Sequence, residues 1–153
     1  DNRDKGMELE ANARELESII HNVNSIFTTN DLTYLYRGGR VSKTAAAFGT
    51  ALNIVPIMHL DYEGHLEVWQ KVRGDKQCFK KVIKDVQELV VDAAGQTLIV
   101  SEADAPEKAR EYGEALVREC GFRDVFYTHI GPIIGAHTGP GLISIFFVGK
   151  ERV

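Results

Sequence analysis

The stretch Ile130-Gly-Pro-Ile-Ile-Gly-Ala-His-Thr-Gly-Pro-Gly141 holds four of the 14 glycines and two of the four prolines of the chain. Glycine beside proline favours tight turns whose backbone N–H groups point outward, and such concave arrays of N–H groups bind anions. His137 and Thr138 are enclosed in this stretch. The apolar run 142–148 that follows predicts a buried strand, so we expect the loop to be held at the end of a sheet. The alternative is a structural hairpin in which His137 only caps a turn.

A second informative stretch, Arg37-Gly-Gly-Arg-Val-Ser-Lys-Thr44, precedes the alanine-rich segment 45–53, which the sequence predicts to be a helix. The guanidinium groups of Arg37 and Arg40 flank a Gly-Gly bend just before this helix begins. A helix N-terminus has unpaired N–H groups and a positive dipole end, so the loop suits a carboxylate or a phosphate. Two alternatives are a solvated basic loop and a chance match to the Arg-Gly-Gly element of RNA-binding tails, although those tails are repetitive.

The hydrophobic periodicity of the chain predicts elements in the order α, β, α, β, β, α, β, α, β, β. The first helix is predicted over residues 7–22, with Leu9, Leu16 and Ile20 on its apolar face, and Asp31 is predicted to cap the second helix. This alternation predicts an α/β (α+β) fold in which helices pack on a mixed sheet of six strands.

Three further local predictions concern a hairpin and two helix caps. The segments 54–60 and 65–72 bracket a polar turn and predict a β-hairpin. Asp75 is predicted to cap the helix that follows the hairpin. Asp104 and Glu107 have the spacing of a capping box, which predicts another helix start.

The composition predicts a single domain over residues 1–153, because 44% hydrophobic residues suffice for one core. A net charge of -4 disfavours a nucleic-acid partner, and no apolar run has transmembrane length. Cys78 and Cys120 have no metal-binding spacing and predict reduced core residues of a cytoplasmic protein. The chain begins without methionine, so we expect it to be a piece of a longer protein.

Most catalytic chemistries find no support in the sequence. No paired acids, nucleophilic serine motif or nucleotide-binding fingerprint occurs, and His129 and His137 lack the spacing of metal ligands. The features that remain are Arg37, Arg40 and the His137-Thr138 turn. Arg73 joins them, since it ends a predicted strand from which its side chain can reach a ligand.

Four segments together are typical of one protein family. They are Asp31-Leu-Thr-Tyr-Leu-Tyr-Arg-Gly-Gly-Arg-Val-Ser-Lys-Thr-Ala-Ala46, Leu52-Asn-Ile-Val-Pro-Ile57, Lys71-Val-Arg-Gly74 and the glycine-rich stretch 130–141. In this order they closely resemble the C-terminal domain of the DegV family of fatty-acid-binding proteins. The resemblance extends from about residue 25 to residue 148.

The resemblance implies a cytoplasmic, non-catalytic protein of phospholipid metabolism that encloses one long-chain fatty acid such as palmitate and needs no cofactor or metal. It implies that the carboxylate is presented to a separate fatty acid kinase, which makes acyl phosphate. His137 would lie beside the carboxylate, while Arg40 and Arg73 would line the exit and the kinase-facing surface. Thr138 and Arg37 are further head-group candidates. The N-terminal α/β domain of the family, which holds the carboxylate with hydroxyl groups, is absent from this chain.

Two other functions stay open at this point. Arg37, Arg40 and His137 could converge on a phosphoryl group in a phosphate- or nucleotide-handling enzyme. The chain could also be an interaction module without a ligand, in which the glycine loops serve only folding.

Overall fold

A single mixed sheet organises the chain. The structure is a computed structural model, and it describes residues 2–42 and 53–152. Its strands are β1 (Val23–Thr28), β2 (Ile54–Leu60), β3 (Leu66–Arg73), β4 (Thr97–Glu102), β5 (Asp124–His129) and β6 (Ile143–Val148). Their spatial order is β3-β2-β1-β6-β4-β5, in which β4 and β5 are parallel and the other neighbours antiparallel. The predicted six-stranded mixed sheet is therefore confirmed.

Five α-helices lie in the described part of the chain. They are α1 (Leu9–Ser18), α2 (Leu32–Arg37), α3 (Asp75–Leu89), α4 (Pro106–Cys120) and α5 (Pro132–Thr138). Short 3-10 turns occur at Ile20–Asn22 and Ala93–Gly95. The helix predicted over residues 45–53 lies almost entirely outside the described residues.

The main core lies between one face of the sheet and the pair α3 and α4. Both helices turn an apolar stripe toward the strands, as Val82 and Val86 of α3 and Leu116 of α4 illustrate. The inward residues of the central strands, including Ile26 and Ile145, complete this core. α3 and α4 cover this face of the sheet, so the elements described next pack on the opposite face.

The opposite face of the sheet carries α2 and α5. A smaller apolar cluster forms there, in which Leu32 and Leu35 of α2 pack with Met58 of β2. Phe27 of β1 and Leu66 of β3 pack against this cluster. The two helices are short and contact each other, so they leave space over the strands beside them.

The hairpin alternative for the glycine-rich stretch is wrong, because β4 lies between β5 and β6 in the sheet. Much of this stretch is the helix α5, with Pro132 in its first turn, where the missing proline N–H does no harm. Gly139 ends the helix at a φ of 72°, a value that suits glycine. The turn prediction therefore holds only for the segment that leads into β6.

The first helix also departs from its prediction. It is shorter than residues 7–22, and none of its residues is buried. Leu9 and Leu16 are largely exposed, because α1 lies mainly against the 3-10 turn that follows it. A periodic apolar stripe predicts a helix, but it does not show whether a partner surface is present to cover the stripe.

Of the predicted caps, only Asp31 behaves as expected, since its Oδ1 accepts a hydrogen bond from the Thr33 N–H at 2.8 Å. Asp75 is the first residue of α3 and caps nothing; its carboxylate instead accepts a hydrogen bond from Asn30 Nδ2 at 2.9 Å. At the start of α4 the Ala105 N–H is bound by a carboxylate from β4, so the predicted capping box is wrong.

The predicted hairpin is confirmed as β2 and β3, with one change in the facing of its residues. A register shift between Ile57 and Met58 interrupts the pairing of the two strands. After this shift Trp69 packs against the main core, as does Val72, although strict alternation along the strand placed them on opposite faces.

Candidate functional site

The two segments that the sequence analysis selected separately are packed against each other. His137 of α5 lies on the backbone of Gly38 at the end of α2, where an added Cβ would come within 2.6 Å of the imidazole Nδ1. In the reverse direction, the ring of Tyr34 from α2 occupies the space that a Cβ on Gly139 would need. The two glycines therefore permit a contact between α2 and α5 that larger residues would prevent.

This contact closes one end of an apolar cleft of about 430 Å³. The cleft lies over the face of the sheet that α3 and α4 leave free. Its apolar lining comes from β1, β2, β3, β6, α2, α5 and the residue before β6: Phe27, Met58, Leu60, Leu66, Phe146, Leu35, Ile133, Ile134 and Leu142. The volume falls within the range of about 300–1,000 Å³ that is usual for small-molecule sites.

The floor of the cleft runs along the strands. Phe27 and Phe146 meet edge to face, with ring centroids 5.8 Å apart and planes at 87°. Leu60 and Leu66 are paired at the turn end of β2 and β3, which is the end of the cleft away from α2 and α5. The floor of the cleft is therefore apolar along the strands, which suits a hydrocarbon chain.

Three polar side chains line the other end of the cleft: Arg40, His137 and Thr138. Arg40 is exposed, and its Nη1 donates a hydrogen bond to the Gly38 carbonyl at 2.6 Å. Thr138 is buried, and its hydroxyl donates to the Ile134 carbonyl at 3.0 Å, so its oxygen still has acceptor capacity. This polar rim offers guanidinium and imidazole donors to an anionic head group.

Arg37 and Arg73 lie elsewhere. Arg37 ends α2 and is exposed, with its guanidinium carbon 5.9 Å from the centre of the Tyr34 ring, and it does not line the cleft. Arg73 is exposed at the end of β3, paired in the sheet with Ile54. The structure thus brings Arg40, His137 and Thr138 together and leaves the other two candidates outside the cleft.

The sequence analysis did not select the apolar walls. Phe27 of β1 and Phe146 of β6 lie on the face of the sheet opposite the main core. The alternation of side chains along the two strands predicts this placement. That pattern shows which side chains share a face, but it does not show that the face is left open. Among the described residues, the short helices α2 and α5 lie over this face and leave the cleft beside them.

Neither a metal site nor a membrane span is found among residues 2–42 and 53–152. No three His, Cys, Asp or Glu side chains are grouped as metal ligands there, and no helix there has the length and apolarity to cross a bilayer.

Comparison with known proteins places the chain in a family. The model of the DegV family, described as an uncharacterised protein, matches residues 1–150. The chain belongs to the DegV family. A DegV domain-containing protein of Lactococcus lactis is 35% identical over 150 residues, which cover 97% of this chain and 51% of that relative. The chain thus spans about half the length of the curated DegV relatives it matches.

Solved structures of DegV-like proteins have the same fold. A DegV family protein from Ruminococcus gnavus with vaccenic acid superposes with a TM-score of 0.81 at 26% identity, over 95% of this chain and 51% of that one. A fatty acid kinase B3 protein of Streptococcus pneumoniae, loaded with linoleic acid, gives a TM-score of 0.82 at 17% identity, over 97% and 52% of the two chains. The predicted DegV fold is confirmed.

Proposed function

We propose that this chain binds a long-chain fatty acid such as palmitate, with the tail in the apolar cleft and the carboxylate at the rim. The observation that carries the proposal is a 430 Å³ cleft whose described lining residues are apolar except for Arg40, His137 and Thr138 at one end. The fatty acids in the Ruminococcus gnavus and Streptococcus pneumoniae proteins support the same ligand class.

The tail provides the binding free energy in this proposal. Transfer of each methylene from water into an apolar site contributes about 0.8 kcal/mol, so a palmitoyl chain contributes on the order of 10 kcal/mol. This exceeds the lower estimates of the association cost, which begin at about 4 kcal/mol. A long alkyl chain therefore binds without a strong head-group contact.

The rim sets the orientation of the ligand. A carboxylate at the apolar end of the cleft would lose its hydration without gaining partners, which is strongly unfavourable. At the other end Arg40 and His137 donate to it, so one orientation is preferred. The acid group then points toward the edge of the sheet at which α2 and α5 meet.

The test is denaturing mass spectrometry of organic extracts from the purified chain. Ile134 of α5 lines the cleft and is 56% exposed, whereas Leu16 of α1 is 55% exposed and lies away from the cleft. Ile134→Lys places a charge in the tail path, so we expect the co-purified fatty acid to fall at least tenfold, and Leu16→Lys to leave it unchanged. Equal lipid content in the two variants, or none in the wild type and in a full-length relative, contradicts the proposal.

We further infer that the bound acid is presented to a separate ATP-dependent kinase. In that reaction a carboxylate oxygen attacks the γ-phosphorus of ATP and forms acyl phosphate and ADP, while this protein stays non-catalytic. The exposed Arg73 and Arg37 would contact the kinase.

The chain would act as the C-terminal lipid-binding domain, with hydroxyl groups of an N-terminal α/β domain completing the carboxylate site. A cytoplasmic location fits the free thiols of Cys78 and Cys120.

Kinase presentation is tested with His137→Ala in a protein that contains both domains. We expect the fatty acid content to stay near that of the wild type, because the tail supplies the affinity, and acyl-phosphate formation with kinase and ATP to fall at least tenfold. Loss of the lipid, with normal turnover of whatever remains bound, would show that His137 holds the ligand and does not serve its transfer.

A further inference from the structure

A second cleft, of about 210 Å³, lies on the opposite face of the sheet, between the ends of β4 and β5 and the first turns of α4. The parallel strands β4 and β5 both end here, and their last residues, Glu102 and His129, are direct neighbours in the register. Ligands of α/β sheets commonly bind beyond the carboxyl ends of parallel strands. At 210 Å³ this cleft is smaller than the usual range for drug-sized ligands, so it suits a small group.

Glu102 and His129 form a pair in which the carboxylate is buried and the imidazole is exposed to solvent. The Glu102 side chain is only 4% exposed; its Oε1 contacts His129 Nδ1, and its Oε2 accepts a hydrogen bond from the Ala105 N–H at 2.7 Å. The His129 side chain is 86% exposed. Both carboxylate oxygens are thus occupied, and Nε2 is the ring nitrogen that this contact leaves available to a ligand.

Arg110 adds a guanidinium group to the same cleft. It lies one turn inside α4 and is exposed. Among the described residues, no hydrogen bond or ion pair is found for its guanidinium group, although its carbonyl accepts a hydrogen bond from the Tyr127 hydroxyl at 3.5 Å. The groups that a ligand would meet are therefore an imidazole and a guanidinium, while the one acid of the cleft faces inward.

We propose that this cleft binds a phosphate group. Nε2–H of His129 and the guanidinium of Arg110 donate hydrogen bonds to the phosphate oxygens, and Glu102 holds the ring in the orientation that this requires. Arginine offers a planar fork of N–H donors that matches two phosphate oxygens. A guanidinium for which the described residues provide no hydrogen bond or ion pair, beside an imidazole whose other nitrogen is already bound to a buried carboxylate, suits an oxyanion better than a neutral ligand. The site is separate from the apolar cleft and does not depend on the fatty acid.

The probe is inorganic phosphate, titrated into the chain at pH 6, where histidine rings ordinarily carry a second proton. Ionic strength is held constant with sodium chloride, and the ring signals of His129 are followed by NMR. We expect a saturable shift with phosphate that sodium chloride alone does not produce. Arg110→Gln should raise the dissociation constant about tenfold, the loss usual for one charged hydrogen bond.

Arg118→Gln is the matched control, because Arg118 lies in the same helix, is exposed and contacts Glu119 at 2.9 Å. It should bind phosphate as the wild type does. A shift that does not saturate, or equal dissociation constants for the two variants, overturns the proposal. Fatty acid content measured on the same samples should be unchanged in Arg110→Gln, so failure of the phosphate site can be told apart from failure of the lipid site.

Discussion

Because His137 packs directly on the backbone of Gly38, the residue at position 38 determines where the imidazole can lie at the rim of the cleft. An alanine at position 38 would bring its Cβ within 2.6 Å of the imidazole, although the backbone of Gly38, with φ of -76°, accepts alanine without strain. The imidazole must therefore move while α2 itself is preserved. Position 38 thus offers a way to displace His137 without replacing it.

We expect Gly38→Ala to change the environment of a bound carboxylate and to leave the amount of lipid unchanged. The measurement is the 13C signal of a carboxyl-labelled fatty acid bound to the protein, compared with that in His137→Ala. Gly131→Ala is the control, since a Cβ at Gly131 meets nothing within 4 Å and its φ of -65° suits alanine. A carboxyl signal in Gly38→Ala identical to that of the wild type would show that the imidazole does not touch the head group.

Single residues also show how far the sequence could predict the site. His137, Thr138 and Arg40 line the same cleft, and all three stand in stretches that glycine marks as special backbone in the local sequence. Their role at a head group stays a prediction. Arg73 was selected because it ends a predicted strand from which its side chain can reach a ligand. It does not line the cleft, because a local pattern carries no information on where a strand end lies relative to a distant loop. The apolar wall residue Phe27 was missed, since a large apolar side chain in a strand is ordinarily core.

At the scale of elements, α2 is a helix of six residues whose start depends on Asp31. The hydrogen bond from Thr33 lowers the pKa of the Asp31 carboxyl below its usual value. A lowered pKa in the folded state means that the cap stabilises the fold at neutral pH and that this contribution is lost as the pH falls through the folded-state pKa. The relevant window lies below about pH 4, where a free aspartate also takes up its proton.

We expect Asp31→Ala to lower the free energy of unfolding by about 1 kcal/mol at pH 7, as is usual for loss of an N-cap. Near pH 3 the difference from the wild type should shrink, because the wild-type carboxyl is then partly protonated. Asp31→Asn keeps a capping oxygen that does not titrate, so the difference in free energy of unfolding between Asp31→Asn and Asp31→Ala should not vary with pH. Urea unfolding at both pH values measures this; a difference between Asp31→Ala and the wild type that grows on acidification would contradict it.

The helices α1 and α2 should differ sharply in their contribution to the free energy of unfolding. Leu35 of α2 is 0% exposed, whereas Leu16 of α1 is mostly exposed. Leu35→Ala should lower the free energy of unfolding by about 2–5 kcal/mol, and Leu16→Ala by less than about 0.5 kcal/mol. Urea unfolding of the two variants provides the comparison. A large loss for Leu16→Ala would mean that α1 has a partner surface in solution.

The elements that sequence periodicity predicted best are those that face the main core. The apolar stripes of α3 and α4 follow directly from burial on one side of each helix. α5 was missed because its seven residues include a glycine and a proline and are flanked by more of both, a composition typical of turns. The order of the strands could not be read from the sequence, since alternation identifies the faces of a strand and not its neighbours.

At the scale of the whole molecule, the polar features gather at one edge of the sheet. β1, β4 and β5 end at this edge and β6 begins there, as the pairing of Ile143 with both Thr28 and Glu102 shows. The backbone of Glu102 also binds the start of the glycine-rich stretch, since the Ile130 N–H donates to its carbonyl at 2.8 Å. The polar rim of the apolar cleft and the His129 cleft therefore lie at the same edge, on opposite faces of the sheet.

The apolar floor of the cleft predicts how the affinity for a fatty acid depends on the length of its hydrocarbon chain. If methylenes enter one after another along the floor toward Leu60 and Leu66, each adds about 0.8 kcal/mol, which corresponds to roughly a fourfold decrease in Kd. We expect saturated acids of increasing length to follow this slope until the tail reaches that pair, and then to level off. Calorimetric titration of a homologous series of acids measures the slope and the point at which it levels off.

Leu66→Trp tests the direction in which the tail runs. The larger side chain fills the far end of the cleft, so affinity should level off at a shorter acid, while the slope for the shorter members stays the same. A Tyr36→Trp variant is the control, because Tyr36 is exposed on α2 and does not line the cleft. A Kd that ignores chain length in the wild type would remove the hydrocarbon tail as the source of affinity, and an unchanged plateau in Leu66→Trp would mean that the tail runs toward another end.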